Sequence, residues 1–153
     1  MSLLPLHDLM AQVGPVLDLQ QVTEFADDNT WMVVFQDGTR IDLEGNDETG
    51  QLWFTGEVGP VDEASRLRTY EALLRYNYAG PETGGVRAAL DGDPGNVVLS
   101  FETPAAGIDL PRLCQLLGNL RGVVQGWRAA VSAIEAGGSG ALPDLPPADM
   151  IRV

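Results

Sequence analysis

Between Asp62 and Leu90 the chain reads as an amphipathic helix, a corner of glycine and proline, and a short strand. This unit limits how the halves on either side can be joined. Asp62 reads as the helix cap, with Glu63 in the first turn, and Leu67, Tyr70, Leu73, Leu74 and Asn77 recur at steps of three and four. Gly80-Pro81 stops the helix, and Thr83-Gly84-Gly85 lets the chain turn tightly into Val86 to Leu90. The glycines do not read as a phosphate loop. Such a loop opens a helix and carries a lysine, whereas these open a strand and the chain contains no lysine.

Before this unit, Leu3, Leu6, Leu9, Met10 and Val13 share one helical stripe, with Ser2 as its cap, Pro5 in the tolerant first turn and Gly14-Pro15 as its stop. His7 falls on the polar side and reads as a surface residue, since no second histidine and no nucleophile motif accompanies it. Val16 to Ala26 fits either a short strand or an irregular connection. Three strands follow clearly: Thr30 to Gln36, Thr39 to Glu44 and Gln51 to Val58, separated by Asp37-Gly38 and by Asn46 to Gly50. Ile41 and Leu43 alternate with Arg40, Asp42 and Glu44, giving one buried and one wet face. The strand before is apolar on both sides, with Trp31, Val33 and Phe35 opposing Met32 and Val34; Trp53 likewise opposes Leu52 and Phe54. One helix layer accounts for only one of these sets. The other is covered by the chain's own helix or tail, or forms a groove for another chain.

After the unit, Asp91 to Asn96 makes a turn without the spacing of a calcium loop, and Val97, Leu99 and Phe101 alternate with Val98, Ser100 and Glu102. From the cap Asp109, a long helix carries Leu110, Leu113, Leu116, Leu117, Leu120, Val123, Val124, Trp127, Val131 and Ile134. A stripe of this length beside a sheet is expected to supply much of the core. Cys114 flanks it as a small packing residue. Residues 1–136 read as one domain, and 137–153 as a Gly/Pro-rich tail, mobile or docked through Leu142, Leu145, Met150 and Ile151.

Charge narrows the partners. Met1 to Glu63 holds thirteen acids and one arginine, a net of −12, while Ala64 to Val153 holds nine acids and eight arginines, a net of −1; together they give the chain's −13. Such a front half repels nucleic acid, and it either attracts a basic or amphipathic protein segment or only keeps the protein soluble. No apolar run approaches the roughly 20 residues that span a bilayer, and the start lacks a signal-peptide pattern, so a cytoplasmic protein is expected. One histidine, one cysteine and no metal-ligand spacing speak against an enzyme, a cofactor or a metal.

The run ALLRYNYAGPETGGVRAALD, the hairpin after it, and a helix opening with IDLPRL and carrying Trp127 resemble the class I type III secretion chaperones, the Tir chaperone family. The matching residues are Leu73-Leu74, Asn77, Thr83-Gly84-Gly85, Leu99, Phe101, Leu110, Leu113, Leu117 and Trp127. The resemblance implies an α+β fold in the order helix, three antiparallel strands, helix, two strands, helix. It also implies a bacterial cytoplasmic homodimer that keeps the amino-terminal segment of an effector unfolded for export, with the secretion ATPase as a further partner. The implied seam is the middle helix and the strand after it: Leu67, Tyr70, Leu74, Tyr78, Val86, Ala88 and Leu90. Small Ala88 and Ala89 and the tyrosines agree with close contact between copies, although burial within one subunit would use the same residues. Candidate guest contacts are Leu6, Leu9 and Met10 on the first helix and Met32, Val34, Trp53 and Phe54 on the sheet. An adaptor of the same fold, binding a partner outside secretion, is the alternative.

Overall fold

Alternating strands and two long apolar stripes set the architecture in the computed structural model, which describes residues 4–92 and 95–137. The expected cap Ser2 and the tail beyond residue 137, with its four docking candidates, lie outside the described residues. The elements are helix α1 (Leu4–Val16), strands β1 (Gln21–Phe25), β2 (Thr30–Val34), β3 (Arg40–Asn46) and β4 (Gln51–Gly59), helix α2 (Arg66–Tyr78), strands β5 (Arg87–Leu90) and β6 (Val97–Pro104), and helix α3 (Leu110–Glu135). The strands form one antiparallel sheet in the order β1-β2-β3-β4-β6-β5. The α+β order expected from sequence therefore holds, with β1 filling the stretch that fitted either strand or irregular chain.

Two helix boundaries differ from expectation. Helix α1 runs through Gly14-Pro15 to Val16. It stops where Asp18 takes a left-handed conformation (φ 50°) and Leu19 donates back to the Gly14 carbonyl. Asp62 makes no side-chain cap; its carbonyl instead accepts from the Ser65 N–H and hydroxyl in a short 3-10 turn, so α2 begins at Arg66.

Helix α3 fills the inner face of the sheet. Asp109 caps it by accepting from the Arg112 N–H at 2.9 Å. Leu113, Leu116, Leu117, Leu120, Val123, Val124, Trp127, Val131 and Ile134 are all buried. Against them lie Ile41, Leu43, Leu52, Phe54, Leu99 and Phe101, with the Phe54 and Phe101 rings stacked at 4.7 Å. A glycine at position 56 lets the helix approach: a Cβ there would stand 2.6 Å from Val124 Cγ2. Trp31, Val33, Leu6, Met10 and Val13 extend the same core under α1. The opposite face of the sheet carries no helix among the described residues.

Two polar anchors tie distant parts of the chain to this core. The hairpin carboxylate of Asp37 accepts from the Thr39 N–H at 2.9 Å and from Arg121 Nε at 3.2 Å, with Gln125 as a further donor from α3. At the other end of the sheet, Ala88 N–H donates to Asn77 Oδ1 at 2.8 Å and Asn77 Nδ2 donates to the Ala88 carbonyl at 3.0 Å. Asn77 thus takes the place of a neighbouring strand along the outer edge of β5. The Thr83-Gly84-Gly85 corner delivers β5 to this position, with φ of 67° at Gly84 and 93° at Gly85, values that a side chain would strain.

Both anchors can be tested by substitution. Burial raises the Asp37 carboxyl, but the Thr39 N–H and hydroxyl and the Arg121 guanidinium outweigh it and hold the group down to about 2, against an ordinary 3.8. The folded value lies below the unfolded one, so the stabilisation is complete above 3.8 and is lost as the pH falls through about 2. Urea denaturation should find Asp37→Ala less stable by about 1 kcal/mol near neutrality, the exposed part of the pair being screened, with the gap to the parent closing in acid. Asn77→Ala should cost about 1 kcal/mol. It should also speed hydrogen exchange at the Ala88 amide while leaving the amides of β3 unchanged.

Candidate partner-binding surfaces

Two surfaces stand out, one at each end of the sheet. The first is the outer side of α2 with β5. Leu67, Tyr70, Leu74 and Tyr78 fall at helical spacing, and the helix buries its other side through Thr69, Ala72, Leu73 and Tyr76, the last packed edge-on against Trp127 at 5.2 Å. Burial raises the Tyr76 hydroxyl to about 12, so it stays a neutral core group. Leu67 is 81% exposed, Leu74 69% and Tyr78 93%, and the end of β5 adds Leu90. Tyr70, Leu74, Ala88, Ala89 and Leu90 line a shallow apolar hollow there of about 170 Å³. Exposed large apolar side chains scattered singly are ordinary, whereas a contiguous stripe of this kind marks a contact surface.

Five of the seven expected seam residues therefore present surface. Val86, just before β5, and Ala88, opposite Leu99 of β6, are both buried in the subunit, and Ala88 reaches only the floor of the hollow. Asn77 already occupies the outward backbone groups of Ala88, so what this end of the sheet presents there is side chains.

The second surface is the outer strand β1 with the uncovered face of the sheet. Among the described residues, strand β1 pairs only with β2 and its other edge has no neighbouring strand, and Val22 and Phe25 on it are exposed. In-register rows cross the open face: Thr23, Met32, Asp42, Thr55, Ser100 and Arg87 form one, and Phe25, Thr30, Glu44, Trp53 and Glu102 the next. Met32 and Val34 are half-buried on this face and Trp53 is exposed. Arg40 binds Asp42 through two hydrogen bonds of 3.1 Å.

Leu6, Met10 and Phe54, read from sequence as guest contacts, belong to the core beneath α1 and α3 and offer no surface as the chain is folded. Leu9 stays half-buried at its margin. Phe54 and Trp53 alternate on one strand, so covering one face with α3 separates them. His7 is not a free surface residue either. Its Nδ1 lies 2.5 Å from Glu24 Oε1 and its ring meets Trp31 edge-on at 5.1 Å, at the rim of a cleft between α1 and β1. Sequence reasoning missed Val22 and Phe25; the only signal was a Val, Thr and Phe cluster in Gln21–Phe25.

Among the described residues, no group of three His, Cys, Asp or Glu side chains is placed to hold a metal ion. Burial pushes the Cys114 thiol up, away from the reactive thiolate. No helix of the described residues is long and apolar enough to cross a membrane.

Comparison with known proteins agrees with this picture. The sequence profile of the Tir chaperone protein (CesT) family matches residues 9–128. No curated protein sequence matches significantly. Among solved structures, a chain of the ExsC–ExsE complex superposes with a TM-score of 0.69 at 17% identity, covering 83% of this chain and 93% of that one. A chain of the HopA1–SchA chaperone–effector complex gives 0.61 at 18% identity, covering 81% and 93%. A chain of the heterodimeric ExoU–SpcU complex from the type III secretion system of Pseudomonas aeruginosa gives 0.58 at 24% identity, covering 80% and 93%. A profile that spans most of the chain places it in the Tir chaperone protein (CesT) family, whose members are non-enzymatic type III secretion chaperones.

Proposed function

We propose that this chain holds the amino-terminal segment of a secreted effector in extended, unfolded form, and that it does so as a symmetric homodimer joined through α2 and β5. The observation that carries the reading is the unequal treatment of the two sheet edges. Asn77 occupies the outward backbone groups of Ala88 on the β5 edge, while among the described residues the outer edge of β1 has no neighbouring strand and carries exposed Val22 and Phe25. An open edge of this kind can take up an extended guest strand by main-chain hydrogen bonds, with side chains of the neighbouring face adding selectivity. Met32, Val34 and Trp53, with Leu9 at the margin, are the guest contacts that remain accessible. Two of the structures this chain resembles are a chaperone–effector complex and a heterodimeric complex from a type III secretion system, which supports a partner of this class.

The dimer follows from the apolar stripe at the other end. A two-fold axis beside α2 brings Leu67, Leu74 and Tyr78 of both copies together, and an isologous contact of this sort closes on itself. Each copy then points its β1 edge away from the seam, giving a guest two sites on one particle. The acidic front half, at −12 over Met1 to Glu63, favours guests with basic side chains.

Two measurements test these statements separately. Sedimentation of the parent chain at micromolar concentration should give twice the chain mass, and Leu74→Glu should give the single chain mass. That exposed substitution should alter unfolding stability by no more than about 0.5 kcal/mol. A parent that stays monomeric at every concentration contradicts the seam. For the guest, co-expression with the protein encoded by the neighbouring gene, followed by limited proteolysis, should leave a protected amino-terminal fragment of that protein. Val22→Asp combined with Phe25→Asp should remove the protection. A partner retained as an intact folded domain points instead to an adaptor.

A further inference from the structure

We propose that Trp53, flanked by Glu44 and Glu102, is a receptor for an arginine side chain presented by a partner polypeptide. Trp53 stands on the open face of β4 and is 44% exposed. Its direct cross-strand neighbours are Glu44 on β3 and Glu102 on β6. Adjacent strands lie about 4.8 Å apart, so one carboxylate stands on each side of the indole. The three side chains, together with Asn46, Thr49 and Gln51, line a hollow of about 330 Å³.

Among the described residues, nothing balances the charges around this hollow. One row away, Asp42 is already bound by Arg40. Among the described residues, by contrast, neither Glu44 nor Glu102 has an ion-pair partner. The row Phe25, Thr30, Glu44, Trp53, Glu102 contains no basic residue.

These features select the occupant. An apolar group on Trp53 would desolvate two carboxylates without pairing either, and an anionic group would be repelled by both. A cation over the indole is attracted by the ring face and by both flanks. A guanidinium fits better than an ammonium, because it is planar, stacks on the indole and directs N–H donors outward in its own plane towards carboxylates on opposite sides. The proposal rests on the partner-binding reading only in taking the arginine from another polypeptide; the hollow can be probed without any partner.

Trp31 and Trp127 are buried, so a change of tryptophan fluorescence on ligand addition reports mainly Trp53. The full chain is titrated at low salt with a blocked tripeptide carrying arginine between two threonines, and with the same peptide carrying the neutral isostere citrulline. The arginine peptide should give a saturable change in the millimolar range, weakened roughly tenfold or more by citrulline. Glu44→Gln with Glu102→Gln should weaken it equally. Asp8→Asn with Glu63→Gln, which removes the same charge from exposed sites off this face, should leave it nearly unchanged. A citrulline peptide that binds as well, or a control pair that weakens binding as much as the glutamate pair, overturns the proposal by reducing the effect to stacking or to overall charge. Absence of any saturable change overturns it outright. A chain that binds the peptide yet protects no partner fragment keeps the arginine receptor and loses the proposed function.

Discussion

The packing of α3 against one face of the sheet is the contact on which the rest depends. Its nine buried apolar side chains meet the inner rows of β3, β4 and β6, and Gly56 lets the helix settle close to β4. Fully burying a large apolar side chain is worth about 1.5 to 3 kcal/mol, so this one interface accounts for much of the driving force for folding. It also commits the molecule to a single helical layer. Helix α1 extends that layer over β1 and β2, and α2 is left to flank β5. Nothing among the described residues remains to cover the outer face, which is why Trp53, Met32 and Val34 stay at or near the surface.

With one face covered, the two edges of the sheet become the points of difference. A bare edge strand is a hazard, since it invites unplanned pairing. At β5 the chain removes the hazard with one side chain, Asn77, which satisfies both outward backbone groups of Ala88. The same helix offers Leu67, Leu74 and Tyr78 outward, so closing the edge and presenting an apolar stripe fall to neighbouring positions of α2. At β1, among the described residues, the edge is left open, and it is there that the proposed guest strand would pair.

Much of this was legible in the sequence, because periodicity reports which residues share a side. The stripe of α3, the turn at Asp37-Gly38, the Thr83-Gly84-Gly85 corner and the α+β order all followed from spacing and turn chemistry. Periodicity does not say which side is covered, because the cover comes from a distant part of the chain. That is why Phe54 and Trp53 could not be told apart, and why Leu6 and Met10 read as contacts when they are core. Strand β1 was hidden for a related reason: its residues are mostly exposed, so burial left no alternation to find. Asn77 was visible as a residue shared with the family, but its two hydrogen bonds to Ala88 required the corner to be folded first.

The central claim is a division of labour between the two ends of one sheet, and hydrogen exchange with and without partner tests it most directly. Adding the partner should slow the amides of Gln21–Phe25 and leave those of Leu67–Tyr78 at their former rates. Diluting the free protein should speed exchange in α2 and β5 and leave β1 unchanged. Partner-dependent protection concentrated on α2 and β5, with β1 unaffected, would contradict the account.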